Sequence, residues 1–263
     1  MKMHFKRIAV SLSVVLVLGI NIACTKVTHN TMAADSTHIT PPDTTTTKPD
    51  TMPAPPLDTI PHADTTHAKY LALGDSYTIG QSVGGDERFP AQTVAALLKD
   101  SIKLGQPQYI ATTGWTTINL QDAIAEQNPT GPYEAVTLLI GVNDQYQHFD
   151  TGGYRNRFSL LLYKSIQLAG GRKERVFVLS IPDYSVTPFG GGSTAIRDQI
   201  DVFNAINKQV TLANNIAYIN ITDISRLAAT DPTLIADDGL HPSGKQYALW
   251  VKELAPVMEN VLK

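Results

Sequence analysis

From residue 69 onward, short apolar runs alternate with longer stretches in which apolar side chains recur at helical spacing. The runs cover residues 70–73, 108–112, 135–140, 176–181 and 216–221 and are rich in β-branched residues. Nearly unbroken apolar character at 136–140 and 176–179 predicts strands covered on both faces, since a strand with one wet face would alternate. Amphipathic stretches at 90–99, 119–127, 154–169, 194–212 and 244–262 predict helices between and after the strands. This alternation implies βαβ units, a parallel five-stranded sheet and helices on both faces. In such a sheet ligands sit beyond the carboxyl ends of the strands. The residues that follow each run are therefore where chemistry is expected.

The first 67 residues follow a different pattern. Lys2, Lys6 and Arg7 precede an apolar stretch at 8–22, interrupted by Ser11, Ser13, Gly19 and Asn21. That is the layout of a secretory signal; its 15 residues fall short of the roughly 20 that span a bilayer as a helix. The stretch ends in Asn21-Ile22-Ala23-Cys24, and Cys24 is the only cysteine of the chain. A cysteine directly after a small residue here resembles a bacterial lipoprotein signal, in which the thiol is lipidated and becomes the mature N-terminus. An ordinary cleaved signal or an uncleaved anchor, with Cys24 incidental, is the alternative. Residues 25–67 carry 13 Thr and 7 Pro in 43 positions, too little apolar surface to pack, and read as a solvated tether. The expected organisation is a signal at 1–23, a lipidated Cys24 with its tether at 24–67, and one α/β domain at 68–263. The expected location is the cell envelope, with the membrane reached through the lipid.

Composition narrows the picture further. The 263 residues carry 21 basic and 24 acidic side chains, and loss of Lys2, Lys6 and Arg7 with the signal leaves 18 against 24. An acidic mature protein offers no electrostatic footprint for nucleic acid. A single cysteine excludes an intrachain disulfide framework and any multi-cysteine metal site. No H-E-x-x-H or Cys/His cluster supplies a metal-ligand set, so neither metal nor cofactor is expected. The chain is expected to act as a monomer.

Four blocks fall at the predicted active edge. Gly74-Asp75-Ser76-Tyr77 follows the first run, where a serine hydroxyl and adjacent N–H groups meet the ligand edge. The same residues also make an ordinary turn or N-cap. Gly114, beside Trp115, follows the second run, and its N–H is either an oxyanion donor or part of a plain turn. Asn143 in Gly141-Val142-Asn143-Asp144 follows the third, as an amide donor or an Asx turn. The last block, Asp238-Gly239-Leu240-His241, puts an acid three residues before a histidine, a spacing at which the carboxylate can fold back onto the imidazole. A serine hydroxyl is a weak nucleophile and needs such a base. Of seven histidines only His148 and His241 lie beyond residue 67, and His241 has the better-placed acid. Asp237 competes with Asp238 for that part.

Taken together, the blocks resemble the SGNH hydrolases, the GDSL lipase/acylhydrolase family, whose signature residues are matched by Ser76, Gly114, Asn143 and His241. Asp238 stands where the family carries its acid; the first block reads GDSY rather than GDSL. The resemblance implies a three-layer α/β/α domain of flavodoxin-like type and metal-independent cleavage of carboxylic esters through an acyl-serine. It also implies Ser76 as nucleophile, and an oxyanion hole from Ser76, Gly114 and Asn143. The absence of a G-x-S-x-G elbow argues against the α/β-hydrolase version of that chemistry. Asp75, Tyr77, Trp115, Tyr146 and Tyr184 are candidate pocket residues, with Phe189 beside them; Trp115 reads first as core, since buried aromatics are common, and otherwise as a sugar platform or an acyl-pocket wall. Pro188 and Gly190–Gly192 predict a mobile loop at the entrance. Substrates in view are acetylated glycans and small acyl or lysophospholipid esters. A ligand-binding module without activity is the rival class.

Overall fold

The computed structural model describes residues 68–263. The expected signal, Cys24 and tether lie outside the described residues. The chain runs β1 (Tyr70–Gly74), α1 (Ser76–Ile79), α2 (Phe89–Lys99), β2 (Gln108–Ala111), α3 (Thr117–Gln127), β3 (Ala135–Leu139), α4 (Val142–Tyr146) and α5 (Thr151–Leu168). It continues with β4 (Val176–Leu179), α6 (Thr194–Ala213), β5 (Ala217–Ile219), α7 (Thr222–Arg226) and α8 (Gly244–Leu262). All strands pair in parallel, in the order β2-β1-β3-β4-β5. Every residue of β1, β3 and β4 is buried, as continuous apolar runs require, whereas β2 at the edge is half wet. Helices α2 and α8 pack on each other, and α5 packs on α3 and α6. Right-handed crossovers put the first pair on one face of the sheet and the other three on the opposite face. The result is the three-layer α/β/α sandwich that the sequence implies. Among the described residues no helix is long and apolar enough to cross a membrane.

The helices begin where side chains satisfy their first free N–H groups. Thr116 and Asn119 form a reciprocal capping box on α3. Asp150, Ser193 and Ser243 accept backbone N–H groups at the starts of α5, α6 and α8.

Two predicted strands end early for one physical reason: side chains take over the ladder. The run at 176–181 leaves the sheet after Leu179, because Asn204 of α6 receives the Ile181 N–H at 2.8 Å and donates to its carbonyl at 3.0 Å. The run at 216–221 keeps only three paired residues, because the Ser180 hydroxyl receives the N–H groups of Ile221 and Thr222 at 2.9 and 3.0 Å. Both substitutions happen at the carboxyl edge and open the sheet there. Helices α4 and α7 are short turns absent from the periodicity reading; five residues are too few to show a period.

Candidate active site

Ser76 opens α1 directly after β1, the central of the three strands β2, β1 and β3. Asp75 caps that helix: its carboxylate receives the Tyr77 N–H at 3.0 Å, and Gly80 closes the turn in the left-handed region. Because β2 and β3 flank β1, the segments after them flank Ser76. Gly114 lies after β2 with φ of 81°, a conformation that glycine takes without strain, and nothing stands within 4 Å of where a Cβ would be. Asn143 lies in α4, after β3. Gly141 makes that turn possible, since its φ is 130° and a Cβ there would meet the Tyr154 ring at 2.6 Å.

The amide of Asn143 donates to the Trp115 carbonyl at 3.0 Å and stands 3.5 Å from the Asp75 carboxylate. One amide hydrogen thus ties the segments after β2 and β3 together, and the other has only a long contact. Beneath it, buried Asp144 receives the Thr117 N–H at 2.8 Å and pairs with Arg157 of α5 at 3.2 Å. This clamp joins the start of α3 to α4.

The fourth block arrives on the turn before α8. Asp238 folds back on its own turn, and its Oδ1 receives the N–H groups of Leu240 and His241, each at 2.9 Å. Its Oδ2 stands 2.6 Å from His241 Nδ1, and His241 Nε2 stands 2.9 Å from Ser76 Oγ. Burial opposes ionisation of Asp238, but hydrogen bonds from Ser82, the His241 ring and the two N–H groups outweigh it and hold the carboxyl well below the usual range. With the carboxylate charged, the imidazole proton belongs on Nδ1, which leaves Nε2 to accept from the serine hydroxyl. Asp75 is driven the opposite way. Fully buried, its carboxyl is pushed up to about 8 by desolvation, against the opposing hydrogen bond from Tyr77 N–H.

A cleft offering about 140 Å³ opens over these groups, lined by Ser76, Tyr77, Val142, Asn143, Tyr146, Tyr184, Phe189, Leu240 and His241. Tyr146 and Phe189 are 53% and 55% exposed, and with buried Tyr184 they form a cluster with ring centres 6.0–6.4 Å apart. Tyr77 lies against the His241 ring, with 5.0 Å between centres.

The structure thus brings together Ser76, Asn143, Asp238, His241, Tyr77, Tyr146, Tyr184 and Phe189. Other candidates sit elsewhere. Asp75 lies beneath the cleft as a helix cap rather than in its wall. The Trp115 side chain packs against the core, outside the cleft lining, and contributes its carbonyl. His148 is exposed and outside the lining, and exposed Asp237 lies in a different cavity from His241. The glycine loop expected to be mobile is closed by hydrogen bonds: Gly191 and Gly192 donate to the carbonyls of Thr187 and Ser185, and Phe189 donates to Gly239. Its glycines serve tight left-handed turns, with φ of 59° and 77° at Gly191 and Gly192. The sequence reading missed Val142 and Leu240 as cleft walls, the Asp144 clamp, and Ser82 beside Asp238. Of these Val142 and Asp144, on either side of Asn143, and Leu240, before His241, carried a positional hint, and Ser82 carried none. Among the described residues no group of three His, Cys, Asp or Glu side chains gathers as a metal site.

The GDSL-like lipase/acylhydrolase family model matches residues 72–249. No curated protein matches the sequence. Among solved structures, the chain is similar to the lipase Lip_vut3 from a goat rumen metagenome, at 21% identity and a TM-score of 0.61, covering 74% of this chain and all of that one. It is similar to TesA at 14% identity and a TM-score of 0.59, covering 73% and 99%. The acetylxylan esterase Axe2 from Geobacillus stearothermophilus stands at 18% identity and a TM-score of 0.56, covering 73% and 94%. At these identities the structures speak for the fold.

Proposed function

The chain belongs to the GDSL-like lipase/acylhydrolase family, and from that premise we propose that it cleaves carboxylic esters through an acyl-serine at Ser76. The observation that carries this reading is the continuous chain from Asp238 Oδ2 to His241 Nδ1 at 2.6 Å and from His241 Nε2 to Ser76 Oγ at 2.9 Å. His241 takes the serine proton as Ser76 Oγ attacks the ester carbonyl, and Asp238 holds the ring and stabilises the imidazolium. The N–H groups of Ser76 and Gly114 and the amide of Asn143 meet the oxyanion. Collapse expels the alcohol, protonated by His241. Water then attacks the acyl carbon, its proton passing to His241, and the acyl–Oγ bond breaks as His241 returns that proton to Ser76 and the carboxylic acid leaves.

Support for the substrate class comes from size. A cleft of about 140 Å³ resembles in volume the roughly 150 Å³ apolar cavity that holds one benzene. It has room for a short acyl group over Ser76, and anything longer extends through its open mouth. Exposed Tyr146 and Phe189 at the rim offer flat faces on which a sugar or aryl alcohol can stack. The favoured substrate is a short-chain ester of a bulky alcohol, an acetylated glycan being the leading case. The test is turnover of p-nitrophenyl acetate and of acetylated xylan beside a lysophospholipid. Ser76→Ala should lose at least about 10⁴-fold in kcat at an unchanged melting temperature. Retained turnover removes the assignment, and a wild-type protein that binds glycan without cleaving any ester would make it a binding module.

The envelope location belongs to the same proposal, with Cys24 as the lipid attachment point. Cys24→Ser should move the protein from the membrane to the soluble fraction with its esterase activity intact; an unchanged distribution would discard the anchor.

A further inference from the structure

The Asp238 carboxylate receives four hydrogen bonds, and three come from its own turn: the N–H groups of Leu240 and His241, and His241 Nδ1. These fix the acid against the histidine but not the pair against the serine. Among the described residues the fourth is the only one from outside that turn. Ser82 Oγ donates to Asp238 Oδ2 at 2.6 Å, across 156 positions of sequence. Ser82 lies just past α1, on the segment that the Ser76 carbonyl holds by accepting the Gln81 N–H at 2.9 Å. On the other side, the Gln81 side chain receives the Thr113 hydroxyl at 2.6 Å, next to Gly114. One short segment after the nucleophile's helix thus touches both the acid and the oxyanion loop.

Its backbone is unusual as well. Ser82 has φ of 67°, a left-handed conformation that glycine or asparagine adopts more readily than serine. Ser101 shares that conformation, so the backbone alone does not single Ser82 out; its hydrogen bond does. Serine supplies what glycine and asparagine do not, a hydroxyl donor at this point.

We propose that Ser82 is a positioning residue of the acid–base pair, its hydroxyl registering the Asp238–His241 turn against the segment that carries Ser76. This inference rests on the esterase reading above. The hydroxyl shares Oδ2 with His241 Nδ1, so it also draws off part of the charge that stabilises the imidazolium. Without it that charge acts undivided on the imidazolium formed during turnover, which displaces the acid limb of kcat/KM to higher pH. The other titratable groups around the pair stay in place when Ser82 changes. They are Tyr77 against the imidazole, with Asp75, Asp183 and Tyr184 behind it; Tyr247 of α8, whose hydroxyl donates to the Tyr77 carbonyl; Arg88 near Tyr247; Asp237 on the same turn; and Glu87 across the adjoining cavity.

The test compares Ser82→Gly and Ser82→Ala in the full chain, with p-nitrophenyl acetate as substrate. Glycine removes the hydroxyl and relieves the backbone, whereas alanine removes the hydroxyl and keeps the strain. Both should lose roughly 3- to 10-fold in kcat with KM nearly constant, since water replaces an exposed charge-assisted bond only in part. In both, the acid limb of kcat/KM should move to higher pH, although only Ser82→Ala should melt lower. A merely structural serine would make activity follow stability. Ser82→Gly with wild-type kcat and an unmoved acid limb overturns the proposal. Ser76→Ala is measured alongside: if it retains turnover, the esterase reading fails and takes this inference with it, whereas an inert Ser76→Ala beside an unaffected Ser82→Gly overturns the Ser82 role alone.

Discussion

The edge that carries Ser76, Gly114 and Asn143 and the turn that carries Asp238 and His241 are built by different means. The edge is assembled from three strand ends, and its groups meet only because β1 lies between β2 and β3. The turn is local, four residues closed by its own backbone N–H groups. Their aspartates show what the difference does. Asp75, sealed in the edge, is raised to about 8 by burial. Asp238, on the partly wet turn, is pressed below the ordinary range by its donors despite some burial. Two carboxyls of the same chemistry are thereby driven apart: burial pushes one toward its neutral form, and donors hold the other as an anion facing a histidine.

The comparison breaks hardest on the turn. Asp238→Ala removes the counter-ion of the imidazolium and the ring's anchor, and should cost about 10³- to 10⁴-fold in kcat with little change in KM. Steady-state kinetics on p-nitrophenyl acetate read this directly, and a loss below tenfold would show that another acid serves His241. On the edge, Asn143→Ala removes one proposed oxyanion donor and should cost about 10²- to 10³-fold in kcat. An unchanged kcat would leave the amide only its tie to the Trp115 carbonyl.

The smallest effect sharpens the contrast between the carboxyls. Charging Asp75 costs the folded state, so its contribution to stability is complete below about pH 4 and is lost as the pH rises through about 8. Asp238 has the opposite sign: its contribution is present above the ordinary carboxylate range and is lost as the pH falls below it. Asp75→Asn keeps an acceptor for the Tyr77 N–H and cannot ionise. Its urea midpoint should decline less between pH 4 and pH 8 than that of the wild type; equal slopes would mean that Asp75 is charged in the fold.

Much of this architecture is legible along the chain. Strands buried on both faces announce themselves as unbroken apolar runs, and all five form where the runs predict them. Their ends are less legible, because Asn204 and Ser180 replace ladder partners from elements distant in sequence. Of the site, the Asp238–His241 pairing is readable from spacing alone. Trp115 is not: an aromatic beside a strand end turns into the core or into the cleft according to what packs on it, and here it turns inward.

The sequence by itself determines the alternation of strand and helix, the three blocks at strand ends and the turn that sets acid against base, because each depends on residues a few positions apart. Only the tertiary structure decides that the segments after β2 and β3 flank the one that carries Ser76, that Asp75 is sealed and Asp238 left partly wet, and that Tyr146, Tyr184 and Phe189 wall the cleft. It also decides that Ser82 reaches Asp238. Those outcomes depend on strand order and on how closely layers pack, and no local pattern encodes either.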